Sequence, residues 1–111
     1  MGRRSRETGK RGERQWRDEC RAAGYEARRT AQHRGSPHSA DVEVEGLPIP
    51  IHWEVKVGQR PPIRTALEQA RRDCGDPWPV VASKKHREGW IVSMEPELFW
   101  RLIRNYQEPD E

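Results

Sequence analysis

Residues 41–57, DVEVEGLPIPIHWEVKV, decide the fold. The first five alternate acid and valine, the last seven keep a two-residue period, and GLPIP lies between. Alternation of this kind marks two strands, and a short Gly/Pro-rich connection makes them a hairpin. Asp41, Glu43 and Glu45 share one face of the first strand, and Val42 and Val44 the other. His52, Glu54 and Lys56 share one face of the second, opposed by Trp53, Val55 and Val57. Burying both apolar faces on one side requires odd positions to pair with even ones, so Asp41 comes to stand beside Glu54. Two carboxylates held that close repel unless a cation lies between them. Oxygen ligands of this type suit Mg²⁺, with Mn²⁺ as a substitute. Lys56 points to the same side, where an ammonium can orient a water or stabilise a developing oxyanion.

Working outward, the chain before the hairpin reads as a helix over 11–23, ended by Gly24. Its apolar positions are Trp16, Cys20 and Ala23, and Glu13 lies on the same face, a third acid available to the same place. A strand over 25–31 and a loop over 33–39 follow. After the hairpin, residues 61–75 form a helix, with Pro62 in the first turn, Gly75 at its end and a stripe of Ile63, Ala66, Leu67, Ala70 and Cys74. Strands over 78–85 and 89–94 flank the polar turn KHRE, and a last helix covers 96–106. In that helix Phe99, Leu102, Ile103 and Tyr106 face one way, with Leu98 and Trp100 widening the arc. The order α-β-β-β-α-β-β-α predicts one α/β domain with a mixed central sheet flanked by helices.

The whole chain has 111 residues, enough for one domain. Residues 1–9 are basic and polar and read as a flexible arm; 10–106 form the domain; 107–111 are an acidic tail. Net charge is +3, distributed as +6 over 1–40, −3 over 41–57, +3 over 58–88 and −3 over 89–111. An acidic centre between basic flanks suits a polyanion that meets a metal. No apolar run is long enough for a membrane helix and no signal peptide is visible, so no membrane partner is expected. Cys20 and Cys74 are far apart and the four histidines lack zinc-site spacing, which fits a reduced cytoplasmic setting.

At these residues the chain resembles the PD-(D/E)xK nucleases. Asp41 matches the motif aspartate, Glu54-Val55-Lys56 matches (D/E)xK, and GKRGERQW resembles the first-helix motif whose glutamate, here Glu13, joins the metal site. More narrowly it resembles archaeal-type and phage-encoded Holliday junction resolvases, through GYEARR after the first helix and VASKK after the second. Ala40 stands where the motif has proline. The resemblance implies a restriction-endonuclease-like fold and Mg²⁺-dependent cleavage of DNA, most narrowly four-way junctions. It places the chain in DNA recombination and repair, in a bacterial or phage-infected cytoplasm. Asp41, Glu54, the Val55 carbonyl and Glu13 would hold metal, Lys56 would assist catalysis, and Gln69 is an accessory candidate. Arg3, Arg4, Arg6, Lys10, Arg11, Arg28, Arg29, Arg34, Ser36, Lys84, Lys85 and Arg87 would contact the DNA backbone. A nuclease for flap, branched or duplex DNA is the first alternative, and a non-catalytic DNA-binding protein the second. Symmetric cutting of a junction needs two sites related by a two-fold axis, hence a homodimer, with the interface expected at residues 90–94 and the last helix.

Overall fold

Charged residues with long side chains propagate a helix well, and the first helix, α1, runs Arg3–Ala22. It therefore begins inside the segment expected to be a flexible arm. Glu7 and Arg11 are spaced i, i+4 in the favourable order, and Gly9 and Gly12 do not interrupt the helix. The remaining elements are β1 (Glu26–Arg29), β2 (Val42–Glu45), β3 (Ile51–Gly58), α2 (Ile63–Asp73), β4 (Trp78–Lys85), β5 (Trp90–Ser93) and α3 (Pro96–Gln107). The computed structural model describes residues 3–30 and 39–107, without the side chains of 3–6. Arg34, Ser36 and the tail beyond Gln107 lie outside the described residues, as do the side chains of Arg3, Arg4 and Arg6.

The five strands form one sheet in chain order, β1-β2-β3-β4-β5. Only β3 and β4 run parallel, joined by the α2 crossover; the other neighbours are antiparallel. The sheet is thus mixed, with three helices, in the expected order. Among the described residues no helix is long and apolar enough to cross a membrane.

One sheet face carries the main core. Trp53, Val55, Val80, Ala82 and Val42 bury there beneath Trp16 and Cys20 of α1 and Leu98 of α3. The Trp16 ring lies tilted at 5.0 Å from both Trp53 and Trp90; Trp16 and Trp53 are core, and Trp90 and Trp78 pack partly buried against it. The other face buries Val81 and the small residues Ala66 and Ala70 of α2. Small side chains let α2 lie close to the strand that carries Glu54. In α3 the buried residue is Leu98, with Leu102 one turn on; Phe99, Trp100 and Tyr106 are exposed. The apolar arc therefore divides, Leu98 and Leu102 turning to the core and Phe99, Trp100 and Tyr106 to the surface. Likewise Trp90 and Met94 pack against the core, leaving only Ile91 and Val92 of the expected strip exposed.

Gly12 sets the distance between α1 and the sheet. A Cβ there would stand 2.7 Å from Val57 Cγ2 and 3.2 Å from Val57 Cβ. Gly12→Ala should accordingly lower stability by about 1–2 kcal/mol, overpacking outweighing the gain in helix propensity. Adding Val57→Ala should restore most of the loss. Urea denaturation decides this, and a Gly12→Ala protein as stable as the parent would contradict the packing.

Candidate active site

Strand β2 meets β3 through Val42, which pairs with Trp53, an even with an odd position as the apolar faces require. The Asp41 N–H also donates to the Trp53 carbonyl at 2.9 Å. Two residues of one strand thus address one residue of the other, the arrangement of a β-bulge. Beyond it the Asp41 carboxylate, rather than a backbone carbonyl, takes the next N–H: Val55 donates to Asp41 Oδ2 at 2.9 Å. Asp41 is therefore fixed against β3 by two hydrogen bonds, one to the Trp53 carbonyl and one from the Val55 N–H of the Glu54-Val55-Lys56 motif.

Glu54 is 2 % exposed, and its Oε2 lies 3.0 Å from His52 Nε2. His52 itself is only 5 % exposed. Sequence reasoning placed His52 on the acidic face but did not give it this contact; the available signal was its position two residues before Glu54 on one strand face. Glu13 enters from α1, where Arg29 Nη1 donates to its Oε1 at 3.3 Å. Thr8, Gly9, Glu13, Asp41, Glu54, Val55, Lys56, Val57 and Gln69 line one open cleft of about 500 Å³. Thr8 and Gly9 were not anticipated there, because the helix was expected to start after them.

The acids disturb one another. Burial, then the Glu54 charge, pushes Asp41 up to about 7, against the Val55 hydrogen bond that favours its charged form; Glu13 adds to the rise and Lys56 opposes it. Glu13 is also raised, chiefly by burial, with Arg29 opposing and Glu54 adding. The cleft thus holds more negative charge than its surroundings support. Among the described residues, no three His, Cys, Asp or Glu side chains form a ready-made metal cage. Glu13 turns to Arg29 and Glu54 to His52, which spreads the carboxylates. Mg²⁺ is commonly bound by one or two carboxylates, several waters and substrate phosphate. Asp41 and Glu54 beside an exposed cleft fit that donor set.

The basic residues divide. Arg28 is exposed and held by Glu43 at 3.0 Å and Glu45 at 2.7 Å across the β1–β2 pair. Its charge is engaged away from the cleft, against the expectation of a free phosphate contact. Arg29, its neighbour, points to the opposite face and meets Glu13. Lys85 pairs loosely with Glu88 at 3.8 Å, while Arg11, Lys84 and Arg87 gather beside the cleft. Lys10 is exposed on α1. Comparison with protein-family models, curated proteins and solved structures gives no significant match.

Proposed function

We propose that the chain is a metal-dependent DNA endonuclease of the PD-(D/E)xK type with a restriction-endonuclease-like fold, acting on branched DNA, most narrowly on four-way junctions. The observation that carries this reading is the convergence of Glu13, Asp41, Glu54, Lys56 and Gln69 on one cleft. They come from α1, the residue before β2, β3 and α2, so a bland surface hairpin does not account for them. The raised Asp41 and Glu13 carboxyls support it further, since a cation would relieve both.

In this reading Asp41, Glu54 and the Val55 carbonyl hold Mg²⁺ or Mn²⁺, with Glu13 directly or through water. The ion supplies Lewis acidity toward a phosphate oxygen and a lowered pKa for water. The Val55 N–H and the Asp41 backbone hold the Asp41 carboxylate in place. His52 fixes Glu54, as an outer partner orients a ligand. Lys56 offers three donors to a water or to charge that develops on the phosphate. A homodimer would supply the second cut of a junction.

Incubation with four-way, flap, single-stranded and linear duplex DNA, each with Mg²⁺ or with EDTA, tests the reading. Metal-dependent paired nicks in the four-way junction are expected. Preference for flap or duplex would keep the chemistry and change the substrate; binding without cleavage of any of them would leave a DNA-binding protein. Lys56→Ala should lower turnover about 100-fold or more while Mg²⁺ binding, read by calorimetry, stays largely intact. Lost metal binding in that variant would mean that Lys56 has a structural role.

A further inference from the structure

Beside the cleft lies a second, smaller basin of about 150 Å³, lined by Thr8, Arg11, Gln15, Lys84, His86 and Arg87 together with Gly12 and Val57. Thr8 and Val57 line both basins, so they share a wall. Their chemistry is opposite. The cleft gathers three carboxylates, whereas no Asp or Glu lines the second basin. Room for about five waters, at ~30 Å³ each, is the scale of one phosphate group.

Three features build this basin. Thr8, Arg11, Gly12 and Gln15 occupy one face of α1 at i, i+3, i+4 and i+7. Gly12 seats that face against Val57 so closely that no side chain fits between. The opposite wall is the β4–β5 turn, closed by the Glu88 N–H donating to the Lys85 carbonyl at 3.0 Å. Its third residue, Arg87, has φ of 66°, a position of a type II turn that glycine ordinarily fills. A long cationic side chain is kept where the backbone disfavours any side chain. Strain of this kind concentrates at binding sites. Among the described residues, Arg11, His86 and Arg87 make no ion pair with an acid, unlike Arg28, Arg29 and Arg71. Lys84 lies over the Trp90 ring, 6.0 Å from its centroid, and among the described residues makes no ion pair with an acid.

We propose that this basin is a second phosphate subsite, in which Arg11, Lys84, His86 and Arg87 hold the phosphate next to the one in the acidic cleft. It rests on the nuclease reading for the identity of the strand, and on the basin alone for the anion. An internal diester of a continuous strand and a terminal monoester share this chemistry. Arginine forks give directed donors to either.

Arg87→Gly tests the subsite without endangering the fold, because it removes the guanidinium and relieves the positive φ. The variant should melt at or above the parent temperature. On DNA carrying one methylphosphonate at each phosphate flanking the mapped cut, one position should slow the parent about tenfold. Arg87→Gly should be slowed about tenfold on unmodified DNA and be indifferent to that same methylphosphonate. Arg71→Gln, whose charge is already paired with Glu95, should keep the parent profile. If only 5′-phosphoryl against 5′-hydroxyl ends discriminates, and Arg87→Gly loses that discrimination, the occupant is the terminal monoester. Equal sensitivity of parent and Arg87→Gly to every substitution overturns the subsite and leaves the nuclease reading standing. If the parent cuts no DNA, titration with inorganic phosphate read by amide ¹H–¹⁵N spectra decides. Shifts at residues 8–12 and 84–88 that vanish in Arg87→Gly retain the anion site while the nuclease reading falls; no shifts overturn the site as well.

Discussion

Asp41→Asn is expected to abolish cleavage and, at the same time, to stabilise the metal-free protein at pH 8. Both effects come from one carboxylate. Folding buries Asp41 beside Glu54 and Glu13, which lifts it from an ordinary 3.8 to about 7. Between those values the folded state binds a proton that the unfolded chain releases, so stability falls as pH rises through the window. Below about pH 4 the group is protonated in both states and no penalty applies. Above about pH 7 the folded protein carries the full cost of the buried charge, on the order of 4 kcal/mol, since each tenfold change in proton affinity is worth ~1.4 kcal/mol. Asparagine keeps the shape and an oxygen for the Val55 N–H but not the charge. The variant should therefore gain stability at pH 8 by about 4 kcal/mol and show little difference at pH 4. Mg²⁺ should raise the melting temperature of the parent at pH 8 and not that of the variant. Cleavage should fall about a thousandfold or more, while DNA binding holds or tightens because a negative charge facing phosphate is gone. Melting scans at the two pH values and a cleavage assay suffice. A variant less stable than the parent at pH 8, or one that cuts at the parent rate, would refute the site.

The pairing of Asp41 with the Glu54 motif was legible because a two-residue period leaves few ways to bury both valine faces. The means was not legible: the Asp41 N–H bonds the Trp53 carbonyl although Val42 is the register partner of Trp53, and a bulge is a local choice that alternation does not encode. Arg28 and Arg29 show what the period does encode. Adjacent identical residues go to opposite faces, one to Glu43 and Glu45, the other to Glu13. The early start of α1 was hidden because its first turns lack an apolar stripe, which makes a charged helix look like a solvated arm. What gives that helix its place is Gly12 against Val57, a contact between residues 45 positions apart that no local pattern contains. In α3 the arc of apolar residues was visible, but not which part of it the sheet covers. Leu98 settles inward at 1 % exposure because it meets the core cluster, and this turns Phe99 and Tyr106 outward.

That outward face leads to the expectation that Trp100→Glu converts a dimer into a monomer. Trp100 is 55 % exposed and Phe99 46 %, with their rings packed edge-on at 5.2 Å. Tyr106 extends the same helix surface, and Ile91 and Val92 lie exposed on β5, the last strand of the sheet. An edge strand with exposed aliphatic residues and an exposed aromatic helix face are both surfaces that a lone domain ordinarily blunts with charge. If the substrate is a four-way junction, its two-fold symmetry supplies the occupant, a second copy of the chain placing a second cleft. The parent should scatter light as about twice the 13.0 kDa chain at micromolar concentration. A glutamate at position 100 would be buried without a partner in that contact, enough to weaken association about 100-fold or more. Because Trp100 makes no part of the core, the circular dichroism of the variant should match that of the parent. Ile91→Lys should act in the same direction if the β5 edge takes part and leave the mass unchanged if only α3 does. The paired nicks of the parent should become independent single nicks in the Trp100→Glu protein. A parent that is monomeric yet still cuts both strands in concert would refute the two-fold arrangement. A monomer that nicks one strand only would move the substrate from four-way junctions to flap or duplex DNA.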